Sequence, residues 1–150
     1  MLNFIGKQLA SACHADYMID GIPDSNDFGP LQLEFTDQSC LVFELVPDGQ
    51  SVCVDTAQLR FPDPTTGDYV WHRLELNSDA WKTLMLTPLT SIDEWKWEDD
   101  VRVGFCLHFG DHWLCYWNAG DDAHCCVDDM PTWPTGRCRW QTIVAGQNRR

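Results

Sequence analysis

Cysteine, histidine and aspartate residues are concentrated in one stretch of the chain, residues 103–129. Imidazole, thiolate and carboxylate groups are all metal ligands, so side chains near a turn in this stretch could converge on a metal ion. The candidate ligands are His108, Asp111, His112, His124 and either Cys125 or Cys126. On a single strand, however, His108 and His112 would lie about 13 Å apart at ~3.3 Å per residue, and only a turn between them could bring them closer. No C-x-x-C pair is present either, so we interpret the two histidines as solvent-facing turn residues and predict no metal site and no cofactor.

A cysteine beside a histidine is a second chemical possibility, because a thiol needs a nearby base to act as a nucleophile. Cys13 precedes His14, and His124 precedes Cys125. Adjacent residues on a strand face opposite sides of the sheet, so both pairs are poorly placed to act as nucleophile and base. The sequence also has no G-x-S-x-G motif and no glycine-rich nucleotide-binding loop. We therefore predict no catalytic residues and a protein that is not an enzyme.

Acidic residues and indole rings lie together in residues 93–100, which read D-E-W-K-W-E-D-D. If this segment is a strand, Trp95 and Trp97 share one face. Either both indoles belong to the core and the acids only solvate a strand edge, or the indoles anchor a basic partner that the carboxylates attract. Asp121 and Asp122 extend the acidic field, although turn formation explains them equally well. The predicted partner-binding residues, called here the acidic–aromatic set, are Asp93, Glu94, Trp95, Trp97, Glu98, Asp99, Asp100, Asp121 and Asp122.

The elements that position these residues are predicted to be antiparallel hairpins. Residues 31–35 read L-Q-L-E-F, an alternation that is typical of a strand with one buried face. With a three-residue loop at 36–38, the next strand places Leu33 opposite Leu41 and Leu31 opposite Phe43. The apolar side chains of both strands then share one face.

The same pattern recurs in the second half of the chain. L-x-F-x-D ends at Asp37 and again at Asp111, and each copy closes on Cys-Val-Asp, at residues 53–55 and 126–128. We therefore predict an internal repeat over about residues 5–55 and 86–129. Applying the same loop length to the second copy, with residues 110–112 as the loop, predicts three opposed pairs: Leu107 with Cys115, Phe105 with Trp117, and Phe109 with Trp113.

The remaining elements are less regular. Residues 2–9 fit either a helical turn or the start of a strand, and strand pairing is expected to begin after Pro30. A helix of about two turns, capped by Asn77 or Ser78, is predicted to end before Pro88. Further strands are predicted at residues 51–55, 69–76 and 137–144, and turn-rich loops at 19–30, 61–68 and 130–134.

Composition limits the possible functions. The chain has 150 residues, which predicts one domain whose core needs neither disulfide nor metal. Its 23 acidic and 10 basic residues give a net charge of −13, which argues against nucleic-acid binding and favours a basic partner or simple solubility. Because the N-terminus lacks a secretory leader and no window approaches ~18 apolar residues, we expect a cytoplasmic protein without membrane association. Its eight cysteines are then expected to be reduced thiols.

A set of diffuse motifs runs through most of the chain. They are G-K-x-L at residues 6–9, L-x-F-x-D followed by an apolar strand, W-x-x-L at residues 81–84, and a second hairpin ending N-A-G-D-D at residues 118–122. This arrangement resembles small acidic bacterial cytosolic proteins, some of which are similar to immunity proteins of polymorphic-toxin or contact-dependent inhibition systems. The resemblance implies a non-enzymatic inhibitor that binds a cognate toxin, often a basic nuclease, and blocks its active site or substrate groove. It carries over no residue-level binding motif.

Together the patterns predict a mainly β protein, with an α+β fold as the alternative. Two related hairpin units and one short helix are expected to form an antiparallel sandwich or a strongly curved sheet. The expected function is that of an immunity-type protein which neutralises a basic toxin, such as a nuclease, through the acidic–aromatic set. The alternatives are a small metal-dependent or thiol enzyme, and an accessory interaction domain without a toxin partner.

Overall fold

The structure is a computed structural model that describes residues 2–20, 22–23, 26–61, 69–129 and 138–145. A 3-10 helix at Leu2–Phe4 opens the chain. The other elements are β1 (Leu9–Ile19), β2 (Ile22–Pro23), β3 (Leu31–Phe35), β4 (Cys40–Leu45), β5 (Val52–Asp55), β6 (Tyr69–Glu75), α1 (Asp79–Lys82), β7 (Leu89–Trp97), β8 (Arg102–Phe109), β9 (His112–Ala119), β10 (Asp122–Val127) and β11 (Cys138–Ala145). The predicted loops at 61–68 and 130–134 lie outside the described residues, apart from Phe61.

The strands form two antiparallel sheets that pack on each other. In the first sheet the order is β2-β1-β3-β4-β5, with β6 also paired to β1, and in the second it is β10-β9-β8-β7-β11. The two sheets therefore share one plan: a long central strand, a three-strand meander on one side, and a later strand on the other. The predicted mainly β antiparallel sandwich is confirmed.

The core lies between the two sheets and is built by alternate side chains of β3, β4, β8 and β9. Phe43 contacts Phe105 with ring centroids 5.3 Å apart, and it contacts Tyr116 at 5.9 Å. The Tyr116 hydroxyl donates a hydrogen bond to Gly29 O at 2.9 Å, so its polar atom is satisfied within the core. Each fully buried Phe or Leu side chain contributes about 1.5–3 kcal/mol, which makes this layer the main stabilising feature of the fold.

Backbone hydrogen bonds join the two sheets where their central strands begin. Gly6 N donates to Leu89 O and Leu86 N donates to Leu9 O, both at 2.8 Å. The two donors occupy corresponding positions: Gly6 lies three residues before β1 begins and Leu86 lies three residues before β7 begins, and both have positive φ, +87° for Gly6 and +60° for Leu86. The segments leading into β1 and β7 thus follow the same path and exchange equivalent hydrogen bonds.

Two elements differ from the sequence expectations. Strand pairing begins with β1, well before Pro30, so the prediction that it begins after Pro30 is wrong. The sequence pattern did not indicate this strand because its buried positions include Ala12 and Ala15, and alanine is a poor indicator of strand. Ser78 is the N-cap of α1, as predicted, but the helix has only four residues and the Ser78 side chain makes no capping hydrogen bond.

The register of the first hairpin is confirmed, and that of the second is wrong by one residue. Leu33 lies opposite Leu41 as predicted. In the second hairpin, however, Phe109 pairs with His112 and Leu107 pairs with Leu114, because Gly110, at φ +60°, allows a two-residue turn. Since strand side chains alternate between faces, this shift sends Leu114 and Tyr116 into the core, and Trp113, Cys115 and Trp117 to the outer face.

The Cys-Val-Asp motifs of the two halves do not occupy equivalent positions. Val54 lies opposite Phe43, and its counterpart opposite Tyr116 is Cys125 rather than Val127. The reason is the connection before each motif, which spans residues 46–51 in the first sheet but only residues 120–121 in the second. The second Cys-Val-Asp motif therefore lies two residues further along its strand than the first.

The first hairpin gives a stability prediction. Gln38 is exposed and has φ +68°, a left-handed conformation that costs an ordinary residue roughly 1–2 kcal/mol. We expect Gln38→Gly to raise the free energy of unfolding by up to about 1 kcal/mol, after allowance for the greater unfolded-state entropy of glycine. Urea unfolding monitored by tryptophan fluorescence measures the change. Thr36→Gly, in the same loop but without positive φ, is the matched control and should be destabilising; a loss of stability in both variants contradicts the prediction.

Candidate functional site

The outer face of the second sheet, which points away from the sandwich core, carries a row of residues in register across all five strands, aromatic on four of them and glycine on β8. The row runs Trp140, Trp95, Gly104, Trp117 and His124. Trp140 meets Trp95 edge-on with centroids 4.2 Å apart, and His124 stacks on Trp117 at 5.4 Å. Trp95 and Trp117 contact each other at 6.3 Å above Gly104, which has no side chain to separate them. Trp95 belongs to a second buried apolar cluster, and Trp117 packs against that cluster.

A row of cysteines lies beside the aromatic row on the same face. Asp93, Cys106, Cys115 and Cys126 are successive partners across β7, β8, β9 and β10. Cys115 Sγ donates to Cys106 Sγ at 3.3 Å, and all eight cysteines of the chain are free thiols. Cys106 is 1% exposed and Cys115 is fully buried. Three thiols are thus aligned beside the aromatic row.

His108 connects this cysteine row to a carboxylate. It lies two residues after Cys106 on β8, hence on the same face, and its Nε2 is 2.9 Å from Asp93 Oδ2. Hydrogen bonds with Cys106 and then with Asp93 raise the pKa of His108 to about 9, although burial acts in the opposite direction. The hydrogen bond from Cys115, together with that from His108, lowers the pKa of Cys106 below its ordinary value. The arrangement therefore favours a thiolate at Cys106 beside an imidazolium at His108.

Cys115 remains a thiol beside this thiolate. Its hydrogen bonds with Cys106 and Cys126 raise its pKa far above that of an ordinary cysteine. One sulfur is therefore nucleophilic while its neighbour at 3.3 Å keeps a proton. Chemically, this set can react with a small electrophile, but the burial of both sulfurs excludes a bulky substrate.

The cysteine–histidine pairs considered from the sequence have other roles. His14 stacks on Phe28 and its Nδ1 lies 2.7 Å from Phe28 O, while burial raises the pKa of Cys13. Burial likewise raises the pKa of Cys125 well above its ordinary value. The pair missed by sequence reasoning was Cys106 and His108, and the available signal was their spacing of two within a strand.

The candidate metal ligands do not come together. His108 is engaged with Asp93, whereas His112 Nδ1 is 2.6 Å from Asp128 Oδ2. Within the described ranges, no group of three or more histidine, cysteine, aspartate or glutamate residues is arranged to hold a metal ion.

The acidic–aromatic set separates into two parts. The members on β7 make contacts within the protein. Asp93 binds His108, and Trp95 is 2% exposed. Glu94 is 3% exposed, and its carboxylate oxygens lie 2.6 Å from Lys96 Nζ and 2.8 Å from Arg102 Nε. Burial acts to raise the pKa of Glu94, but the hydrogen bonds from the two basic residues outweigh it and the pKa is lowered. Trp97 is half-buried against the second apolar cluster.

The other part of the set forms what we call the acidic end, which comprises Glu98, Asp99, Asp100, Asp121 and Asp122. Four of these residues are exposed and Asp122 is half-buried. Four of them occupy the β7–β8 and β9–β10 turns, and Asp122 is the first residue of β10. The two turns project from the same end of the sheet because β7, β8, β9 and β10 are consecutive antiparallel neighbours. Asn118 Nδ2 also donates to Gly49 O at 3.2 Å, which brings the exposed Asp48 of the first sheet to this end.

No protein-family profile, characterised protein or solved structure matched the chain in comparisons with known proteins. In the part of the chain that the structure describes, no helix is both long enough and apolar enough to cross a membrane.

Gly104 provides a test of the aromatic row. A Cβ at this position would lie 2.7 Å from Trp117 Cβ, 2.9 Å from Tyr116 O and 3.0 Å from Trp95 Cε3, so the strand or the indoles must move. We expect Gly104→Ala to lower the free energy of unfolding by about 1–3 kcal/mol and to change the near-ultraviolet circular dichroism of the tryptophans.

Gly120→Ala is the matched control for this change. Gly120 has φ +70° with nothing within 4 Å of an added Cβ, so this variant should lose only the ~1–2 kcal/mol of left-handed strain and keep the native tryptophan spectrum. An unchanged near-ultraviolet spectrum in Gly104→Ala would refute a close indole contact over Gly104.

The thiolate at Cys106 is tested by spectroscopy rather than by stability. The raised pKa of His108 contributes stability that is lost as the pH rises toward about 9, whereas the lowered pKa of Cys106 contributes stability that is lost as the pH falls. Between about pH 6.5 and 8.5 the pair binds one proton in both native and unfolded protein. The free energy of unfolding therefore does not change with pH in this range, because the pH dependences of the two groups are equal and opposite. We expect native protein near neutral pH to show thiolate ultraviolet absorbance that Cys106→Ser and His108→Gln each reduce.

The matched control is His112→Gln, which removes the imidazole that binds Asp128 at the turn and should leave the absorbance unchanged. Equal thiolate absorbance in wild-type protein and Cys106→Ser would mean that Cys106 is protonated.

Proposed function

We propose that this chain is a non-enzymatic binding protein of the immunity type, which neutralises a basic protein toxin by docking its acidic end against the toxin. The observation that carries the proposal is the convergence of two separate acidic turns, at residues 98–101 and 120–121, on one end of the second sheet. The resemblance to immunity proteins supplies the class of partner. A cytoplasmic location belongs to the proposal, and free thiols accord with a reducing compartment.

Charge supports the choice of a basic partner. The chain has a net charge of −13, and basic side chains near the acidic end are already engaged: Lys96 and Arg102 with Glu94, and Arg139 with Asp100 at 2.9 Å. The carboxylates in the two turns therefore produce a negative field that attracts a Lys- and Arg-rich surface and accelerates its association. A nuclease groove that binds phosphates is such a surface.

The exposed ion pair at this end is suited to exchange. The side chains of Asp100 and Arg139 are 75% and 64% exposed, and a pair so exposed adds little to stability. A partner arginine can replace Arg139 on Asp100 at small cost. The following residue, Trp140, is 46% exposed and offers an aromatic contact of the kind that dominates binding energy in protein interfaces.

The test uses the product of the gene adjacent to the one encoding this chain. We expect that product to be a toxin, to bind this protein at low salt and to lose its activity in the complex. The triple variant Glu98→Gln/Asp99→Asn/Asp122→Asn should weaken binding at least tenfold, mainly through a slower association rate, and the salt dependence of that rate should decrease. Surface plasmon resonance and an activity assay of the toxin measure the two effects.

The matched control is Asp55→Asn/Asp79→Asn/Asp111→Asn, which changes the net charge equally but leaves the acidic end intact; Asp111 lies at the opposite end of the second sheet. Equal weakening by both triple variants would assign the effect to net charge rather than to the acidic end. Binding without inhibition would indicate an accessory interaction domain, and a lack of binding at low salt would refute the proposal.

A further inference from the structure

The three cysteines on the outer face of the second sheet are not used by the proposed binding surface. Cys106 and Cys115 are direct partners across β8 and β9, where Cα atoms are about 4.5–5.5 Å apart, a separation that a disulfide can span. Their sulfur atoms are already 3.3 Å apart and need to approach to about 2.05 Å to form a bond. Two thiols held in this way need only an oxidant to be joined.

The groups around the pair assign different roles to the two sulfurs. His108, held by Asp93 at 2.9 Å, stands beside Cys106 on the same strand and stabilises its thiolate. Cys115 has no histidine partner among the described residues, and it donates its proton toward Cys106. Cys106 is therefore the sulfur that attacks first, and Cys115 is the one that resolves the product.

We propose that Cys106 and Cys115 form a peroxide-responsive thiol pair, with His108 and Asp93 as positioning residues, that closes to a disulfide between β8 and β9. In the first step the Cys106 thiolate attacks one oxygen of a hydroperoxide; the O–O bond breaks, Cys106 becomes a sulfenic acid, and the departing oxygen leaves as water or an alcohol after gaining a proton. In the second step the Cys115 sulfur attacks the Cys106 sulfur, the S–O bond breaks, and water is released. Overall, two thiols lose two electrons and two protons to the peroxide.

Burial determines which oxidants reach the pair. Cys106 is 1% exposed and Cys115 is fully buried, so exchange with a protein disulfide is excluded on steric grounds. The His108 side chain is 34% exposed and contacts Cys106, which leaves an approach for a molecule as small as hydrogen peroxide. The response is thus selective for small hydroperoxides over bulky disulfides such as oxidised glutathione.

The experiment treats the full-length reduced protein with a small excess of hydrogen peroxide, then unfolds it in the presence of an alkylating reagent that blocks the remaining thiols. Chymotryptic digestion is suitable because Phe109 and Trp113 lie between the two cysteines, and mass spectrometry then identifies which cysteines are joined. We expect a Cys106–Cys115 link, a fall from eight titratable thiols to six, and reversal by dithiothreitol. Oxidised glutathione at the same concentration should produce no link.

Variants separate the roles of the individual groups. Cys115→Ser should accumulate a sulfenic acid at Cys106 that dimedone traps once the protein is unfolded in its presence. His108→Gln should slow thiol loss roughly tenfold, because an ordinary thiol is only a few per cent ionised near neutral pH. Cys53→Ser, on β5 of the first sheet, changes a thiol far from this row and should form the link at the wild-type rate. Near-ultraviolet circular dichroism verifies that each variant is folded, and mapping of the wild-type protein requires no variant.

Two results would overturn the proposal. One is a peroxide-induced link between any other pair, Cys115 and Cys126 included. The other is a rate of thiol loss in native protein no faster than that of the unfolded chain, which would mean that His108 and Asp93 do not activate Cys106. Neither result bears on the acidic end, so the two proposals fail independently.

Discussion

The register of the β8–β9 hairpin is the constraint on which the rest of the second sheet depends. Gly110 permits a two-residue turn, and that turn pairs Leu107 with Leu114 and Cys106 with Cys115. Because successive side chains point to opposite faces, the same register that closes the sandwich core also aligns the thiols outside it. A slip of one residue would place cysteine and tryptophan side chains in the core and leave leucine and tyrosine on the outer face.

The shared plan of the two sheets shows that the scaffold does not determine the chemistry. Where the second sheet has the row Asp93, Cys106, Cys115 and Cys126, the first has Cys13, Gln32, Val42 and Asp55 in the same order of strand pairing. There Gln32 Oε1 accepts a hydrogen bond from Leu59 N at 2.8 Å, so the outer position serves to hold a loop. The possibility of thiol chemistry on the second sheet therefore comes from its side chains alone.

Sequence alone predicted the sandwich and the first hairpin because Leu31, Leu33 and Phe35 alternate with polar residues, which leaves one sensible register. The second hairpin lacks this contrast: apart from His108, residues 105–109 and 113–117 are apolar or thiol-bearing on both faces, so either register buries hydrophobic side chains. The pairing of Cys106 with His108 was readable from their spacing. The positions of Asp93 and Cys115 beside this pair could not be predicted, because both residues lie on neighbouring strands whose register the hydrophobic pattern does not determine.

A sheet whose outer face carries an apolar cluster of its own limits where a partner can bind. The β7 residues Glu94 and Trp95 are committed to ion pairs and to the aromatic row, and any partner that used them would have to separate contacts that stabilise the fold. The turns are different, because Glu98 and Asp99 are exposed and belong to neither apolar cluster. Turn residues can change to match a partner without loss of the core, which is why binding specificity concentrates in connections held by a rigid scaffold. By the same reasoning the acidic end, rather than the broad outer face, is the surface on which a specific partner is best accommodated.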